Sequence, residues 1–141
     1  MGRALLLYKC GQEIGEKMTV NHSEILEAEI REGLERFIEV INEIRMETFT
    51  RRGFPHMVDP VEGEIARGNV ARIHGRGRAY WRIACGLPGH ERVHCFVRKC
   101  DGAILKSATW KAPATNIVRG YVTDPDNGRG AVNEYGANYA I

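Results

Sequence analysis

The chain reads as an α+β protein: one long N-terminal helix packed on an antiparallel sheet meander, with a short helix after the sheet. Three observations predict this. Apolar residues recur every three to four positions through 21–50, the period changes to two from Arg78 onward, and Asp101-Gly102 separates two strand-like runs. With 141 residues the chain suits one domain, 1–141, divided into the long helix (20–50), the sheet and short helix (78–122) and a tail (123–141).

The helix is carried by "NHSEILEAEIREGLERFIEVINEIRMETF". Asn21 with Glu24 three residues on reads as a capping box. Ile30, Leu34, Phe37, Ile41 and Ile44 then form a heptad seam, widened by Leu26, Ile38 and Val40. A helix of this length spans roughly 40 Å, long for so small a domain. The seam therefore points to a homo-oligomer, dimer or hexamer, paired through the long helix; the alternative is that it lies on its own sheet. Gly33, inside the helix, weakens it by about 1 kcal/mol relative to alanine and marks a close crossing.

Residues 51–79 are punctuated by Gly and Pro and read as a connector, with "ARIHGRG" as an edge strand or tight turn. "RAYWRIAC", the turn "GLPGHE", "RVHCFVRK", the Asp-Gly turn and "AILK" make a meander of three strands. "ALLLY" near the N-terminus is the candidate for a fourth. Pro113 opens a short helix to about Arg119, because proline suits a first helical turn. The Gly- and Asn-rich tail is either loosely ordered or an arm laid on a neighbouring subunit.

Residues 90–94 spell "HERVH", the letters of a zinc peptidase. That chemistry needs both histidines on one face of a helix, and a third ligand downstream. Here the surroundings alternate as a strand: Arg92, His94, Phe96 and Arg98 on one face, Val93, Cys95 and Val97 on the other. In a strand the two histidines stand roughly 13 Å apart, and His94 is the last histidine of the chain. We therefore expect no metal site. Nor is there a nucleophile elbow, a P-loop or a dinucleotide fingerprint, so neither catalytic residues nor a cofactor are expected.

What remains is a basic, aromatic face. His94, Phe96 and Arg98 lie on one strand, with Tyr80 and Arg82, or Trp81, on its neighbour, and Lys106, Trp110, Lys111 and Arg119 beyond. Rings among cationic groups suit a nucleotide, since bases stack and phosphates take charge-assisted hydrogen bonds. The alternatives are that Phe96 and Trp110 are core residues, or that the face binds single-stranded nucleic acid. Charge agrees with an anionic partner: residues 21–50 carry eight acids, while 51–130 carry fourteen Lys or Arg against seven acids.

"HCFVRKCDGAILKSATWKAPATNIVRGYV" resembles a pattern of small phage proteins with a K-x-A-[ST]-W-K-A-P motif, and the overall plan resembles the Thoeris anti-defence sponges. The resemblance covers about residues 78–122. It implies a viral protein acting in the host cytoplasm, which traps glycocyclic ADP-ribose signals or cyclic oligonucleotides between subunits without cleaving them. It places the binding aromatic on Phe96, a polar contact on Lys106 and arginines near Arg72 and Arg119; Trp110, His94 and Arg98 complete the expected ligand-binding set. Two positions depart from that pattern: Tyr121 follows Arg119-Gly120 where relatives carry Asn, and Lys106 stands where an amide is expected.

No apolar run approaches the roughly 18 residues of a membrane span. A short apolar stretch near Met1 lacks a cleavage signal, and Leu6 breaks the myristoylation pattern, so neither a secretory leader nor an acyl anchor is expected. Cys10, Cys85, Cys95 and Cys100 are read as reduced thiols of an intracellular protein, with a Cys85–Cys95 bridge between neighbouring strands as the alternative.

Overall fold

A computed structural model describes residues 20–52, 65 and 68–138, with helix side chains over 26–51. The "ALLLY" segment, Cys10 and residues 53–64, 66 and 67 of the connector lie outside the described residues. Helix α1 spans Val20–Arg52, about 50 Å at 1.5 Å per residue. Asn21 thus falls inside the helix rather than at its cap. Among the described residues the sheet has five strands, in the order β1 (Arg72–Ile73), β2 (Tyr80–Cys85), β3 (Arg92–Arg98), β4 (Ala103–Leu105) and β5 (Gly120–Tyr121). Every neighbouring pair is antiparallel. The α+β layout of one long helix on an antiparallel meander is therefore the fold of this chain.

Three strands, an edge strand in "ARIHGRG" and the Asp-Gly turn follow from the residues. Gly102 adopts φ 79°, the left-handed conformation such a turn needs. The very short β5 carries no alternation to announce it. The short helix after the sheet is a 3-10 turn at Arg129–Ala131, not the helix expected from Pro113. Pro113 instead forms an isolated antiparallel bridge with Ser107, and Ala108 and Thr109 both donate to the Ala112 carbonyl. That tight loop uses the backbone groups a helix would need.

The helix stripe packs on the sheet of its own chain. Ile30, Leu34, Phe37 and Ile41 join Ile83, Cys95, Val97, Ile104 and Val122 in one core. None of the four helical side chains is more than 3 % exposed, and burying each contributes about 1.5–3 kcal/mol. The seam is therefore consumed within the chain, and its heptad period carries no argument for pairing α1 with a second copy. The described part of the tail packs on its own chain: Ala131, Val132 and Ala137 belong to the same core, and Asn138 bonds back to Ala131 and Gly130. Arg129 of the tail pairs with Glu43 of α1.

Two polar clamps set the helix over the sheet. Near its middle, Ala71 donates to Asn42 Oδ1 at 2.8 Å and Asn42 Nδ2 donates back to the Ala71 carbonyl at 3.2 Å. One turn on, Arg45 reaches Asn69. Towards the N-terminus, Gly33 lets the helix backbone meet the chain just after β5: a Cβ built there would stand 2.6 Å from the Val122 carbonyl oxygen and 3.0 Å from its carbon. The helix rule alone would favour alanine at this position. Relief of that contact requires backbone to move, an overpacking cost of about 1–3 kcal/mol against about 1 kcal/mol gained in propensity. Gly33→Ala is expected to lose up to about 2 kcal/mol net; a urea midpoint above that of the parent would refute the close crossing.

The cysteines divide. Cys85 and Cys95 are free thiols, and so do not bridge each other. Cys100 is disulfide-bonded, which corrects the expectation that all four are reduced. No helix among the described residues is long and apolar enough to cross a membrane.

Candidate ligand cavity

The expected sheet face exists, but its members are largely committed to one another. Phe96 is only 2 % exposed, with Tyr80 edge-on at 6.4 Å and the Arg82 guanidinium 6.0 Å from its ring. Arg82 donates from Nε to the Trp110 carbonyl at 2.9 Å and covers the Trp110 ring at 4.7 Å. His74 meets the same ring edge-on at 5.1 Å. The segment after β4 thus closes this side of the sheet, and a base reaches Phe96 only if that cover moves.

The expected phosphate ligands are also occupied. Arg72 donates to the carbonyls of Gly68, Val70 and Gly86 and pairs with Glu91 at 2.6 Å. Hydrogen bonds from its own backbone and from Arg72 hold the Glu91 carboxyl below the usual carboxylate range. Arg98 makes a two-pronged pair with Asp101 at 3.1 and 2.9 Å, which pushes its guanidinium pKa up. Arg119 donates to the Asn138 carbonyl at 2.5 Å, and its buried Nε finds no partner. Lys106 is half-buried beside the Ser107–Pro113 bridge. Tyr80, Arg82, Phe96 and Trp110 come together, with Arg98 directly across from Tyr80 in the β2–β3 register; Arg72 and Arg119 are held by other partners.

His94 leaves the face altogether. The β2–β3 register shifts between Ile83 and Ala84: Ile83 faces Cys95 while Ala84 faces Val93, so His94 is the extra residue of a bulge. A bulge breaks the alternation, and the His94 ring lies against Cys95 Sγ at 3.3 Å rather than beside Phe96. Its Nε2 is 2.9 Å from the Asn133 carbonyl. A carbonyl only accepts, so Nε2 carries the proton and the bare Nδ1 faces the thiol. Burial drives the His94 pKa down to about 4, with the nearby Arg45 charge adding to the effect. Of the remaining "HERVH" residues, His90 sits exposed in the β2–β3 turn and Glu91 is held by Arg72. No group of three metal-ligating side chains assembles among the described residues.

The bulge and the turn line a cavity of about 460 Å³ between the C-terminal part of α1, the β2–β3 turn and the tail. Its walls include Phe49, Leu87, His90, Arg92, His94 and Tyr135, and Arg45 lies among them, 7 % exposed. Arg45 donates to Asn69 Oδ1 at 2.9 Å and to the Asn69 carbonyl at 3.4 Å, and its charge sits 5.2 Å from the Phe49 ring. No carboxylate pairs with it among the described residues. Burial consequently pulls its pKa down. The Cys85 thiol, also lining the cavity, is pushed up by burial and so stays protonated, a poor nucleophile.

Residue-by-residue reading of the sequence missed Arg45, Phe49, Asn69 and Tyr135. One signal was present: Arg45 falls four residues after Ile41, on the apolar stripe itself. A guanidinium at a core position of an amphipathic helix requires a partner. Asn69 and Tyr135 carry no such mark, since tertiary structure alone brings them there.

A model of one protein family, described as a "Family of unknown function (DUF7717)", matches residues 17–138. No curated protein and no solved structure matches the chain.

Proposed function

The chain belongs to that family of unknown function, and for it we propose a non-catalytic binding protein whose cavity takes a small anion of the nucleotide class and holds it unchanged. One observation carries the reading: Arg45 is a buried charge facing a cavity, and its partners among the described residues are neutral. Burying an uncompensated charge is costly. A phosphate or carboxylate placed against it relieves that cost and gains charge-assisted hydrogen bonds. Of the five N–H groups of a guanidinium, Asn69 takes two.

Other features agree in size and, the Glu134 carboxylate in the same wall apart, in chemistry. Arg92 and His90 stand at the mouth, exposed, while Phe49, Leu87 and Val93 supply apolar wall. The volume lies within the usual range for small-molecule sites, about 300–1,000 Å³. The high pKa of Cys85 and the locked tautomer of His94 argue against chemistry on the ligand. The resemblance to Thoeris anti-defence sponges names what to try first: cyclic nucleotide signals of the glycocyclic ADP-ribose type and cyclic oligonucleotides. With it goes a viral role in the host cytoplasm.

The test is thermal denaturation with cyclic ADP-ribose compounds, cyclic dinucleotides and AMP, followed by recovery of the ligand from denatured protein. A concentration-dependent rise in Tm is expected, with the ligand released intact. No rise with any compound would remove the reading, and altered ligand would turn it into an enzyme. Affinity for a single-stranded oligonucleotide that collapses steeply with salt would instead favour a nucleic-acid accessory protein.

A further inference from the structure

We infer that Tyr135 selects ring-bearing anions over bare ones, stacking on the planar group of a ligand whose anionic end rests on Arg45. The inference rests on the cavity reading above and deepens it: the ligand class becomes an aromatic ring joined to a phosphate or carboxylate.

Tyr135 lines the same cavity as Arg45, yet it is 71 % exposed. A ring so exposed contributes little to the core. Its backbone, by contrast, is tightly held. Asn133 Oδ1 accepts the N–H groups of Tyr135 at 2.7 Å and Gly136 at 3.1 Å. Asn133 also donates its own N–H to the Gly136 carbonyl at 2.8 Å, and Val132 and Ala137 bridge across the loop.

The loop is seated directly on the β3 bulge. His94 donates to the Asn133 carbonyl, and a Cβ at Gly136 would stand 2.7 Å from the His94 carbonyl oxygen. Backbone therefore meets backbone there, and the loop has little freedom to shift. The result is a rigid mount for a ring that faces solvent and cavity together. Tyrosine on a fixed loop immobilises only two torsions on stacking, and base–aromatic stacking tolerates any base because each has a π-face.

The division of labour follows. Arg45, deep and cationic, reads charge; Tyr135, at the mouth, reads the ring. The basic mouth residue Arg92 attracts both kinds of anion and does not distinguish them.

Calorimetric titration of the full chain with AMP and with ribose 5-phosphate separates the two contributions. The parent should bind AMP more tightly than ribose 5-phosphate. Tyr135→Ala should weaken AMP by about 5- to 150-fold, the range that stacking on one base supports, and leave ribose 5-phosphate within about twofold. Tyr135→Phe, which keeps the π-face, should behave as the parent. At 71 % exposure the alanine variant should keep the parent Tm, which excludes unfolding as the cause. Equal weakening of both compounds, or no change for AMP, overturns the inference. Parent protein that binds the two equally leaves Arg45 as an anion site and removes Tyr135 as a selector. Parent protein that binds neither removes the cavity reading, and this inference with it.

Discussion

Arg45→Met is expected to lower nucleotide affinity by about 100-fold or more, while the fold keeps its stability to within about 1 kcal/mol. The two effects separate because the charge does different work in each. In the free protein the guanidinium is 7 % exposed and, among the described residues, held by Asn69 and the Phe49 ring. Replacing a buried, uncompensated charge by an apolar side chain of similar length is close to neutral. Two Asn69 acceptors lose a donor, a cost set against relief of the buried charge. In the complex, two charge-assisted bonds at roughly 1.5 kcal/mol or more each amount to about two orders of magnitude in affinity. Titration with AMP and urea denaturation of both proteins measure the two quantities. Affinity unchanged in Arg45→Met would move the site elsewhere; stability lost with affinity would make Arg45 a structural residue.

How far the sequence discloses this site depends on what each signal measures. Periodicity reports burial along one element, and it read α1 well: Ile30, Leu34, Phe37 and Ile41 are the helix face of the core. It cannot say what an apolar face packs against, so the same stripe suited a second copy equally well. Alternation in β2 and β3 implied one wet face. Both faces are covered, since Ala84, Phe96 and Leu105 are as buried as Ile83, Val97 and Ile104. The signal misled because Arg82 and Arg98, on the second face, satisfy their charged ends with Trp110 and Asp101 rather than with water. At His94 the failure is local. One inserted residue in β3 turns a side chain across the sheet, and nothing in "ERVHCFVRK" announces it. The cavity exists because of that insertion, joining a turn, a helix end and a tail that lie far apart in the chain.

The same bulge makes stability fall in mildly acidic solution. His94 is 3 % exposed and carries a pKa of about 4 in the fold, against its ordinary 6.5 in the unfolded chain. The neutral ring is the one that fits: protonation would place an N–H against Cys95 Sγ and a charge near Arg45. Between pH 6.5 and 4 the unfolded chain therefore binds more protons than the folded one, so stability falls as pH falls. The contribution is fully present above pH 6.5 and is lost progressively as pH drops to about 4. From pH 7 to 4.5 this amounts to about 2–3 kcal/mol. Glu91 and Asp126 have carboxyl pKa values lowered from 4.5 and 3.8, so their own losses begin as pH nears those ordinary values, at the acid end of the window, and the part above about pH 5 belongs to His94. His94→Gln retains a donor for the Asn133 carbonyl but cannot titrate. Urea denaturation of the parent across the window should show the loss, and His94→Gln should flatten it. In Arg45→Met the loss should be smaller than in the parent, because one cause of the depressed pKa has gone. An equal slope in the parent and His94→Gln would mean that the ring is not buried as a neutral group, and the bulge would then have to point His94 outward.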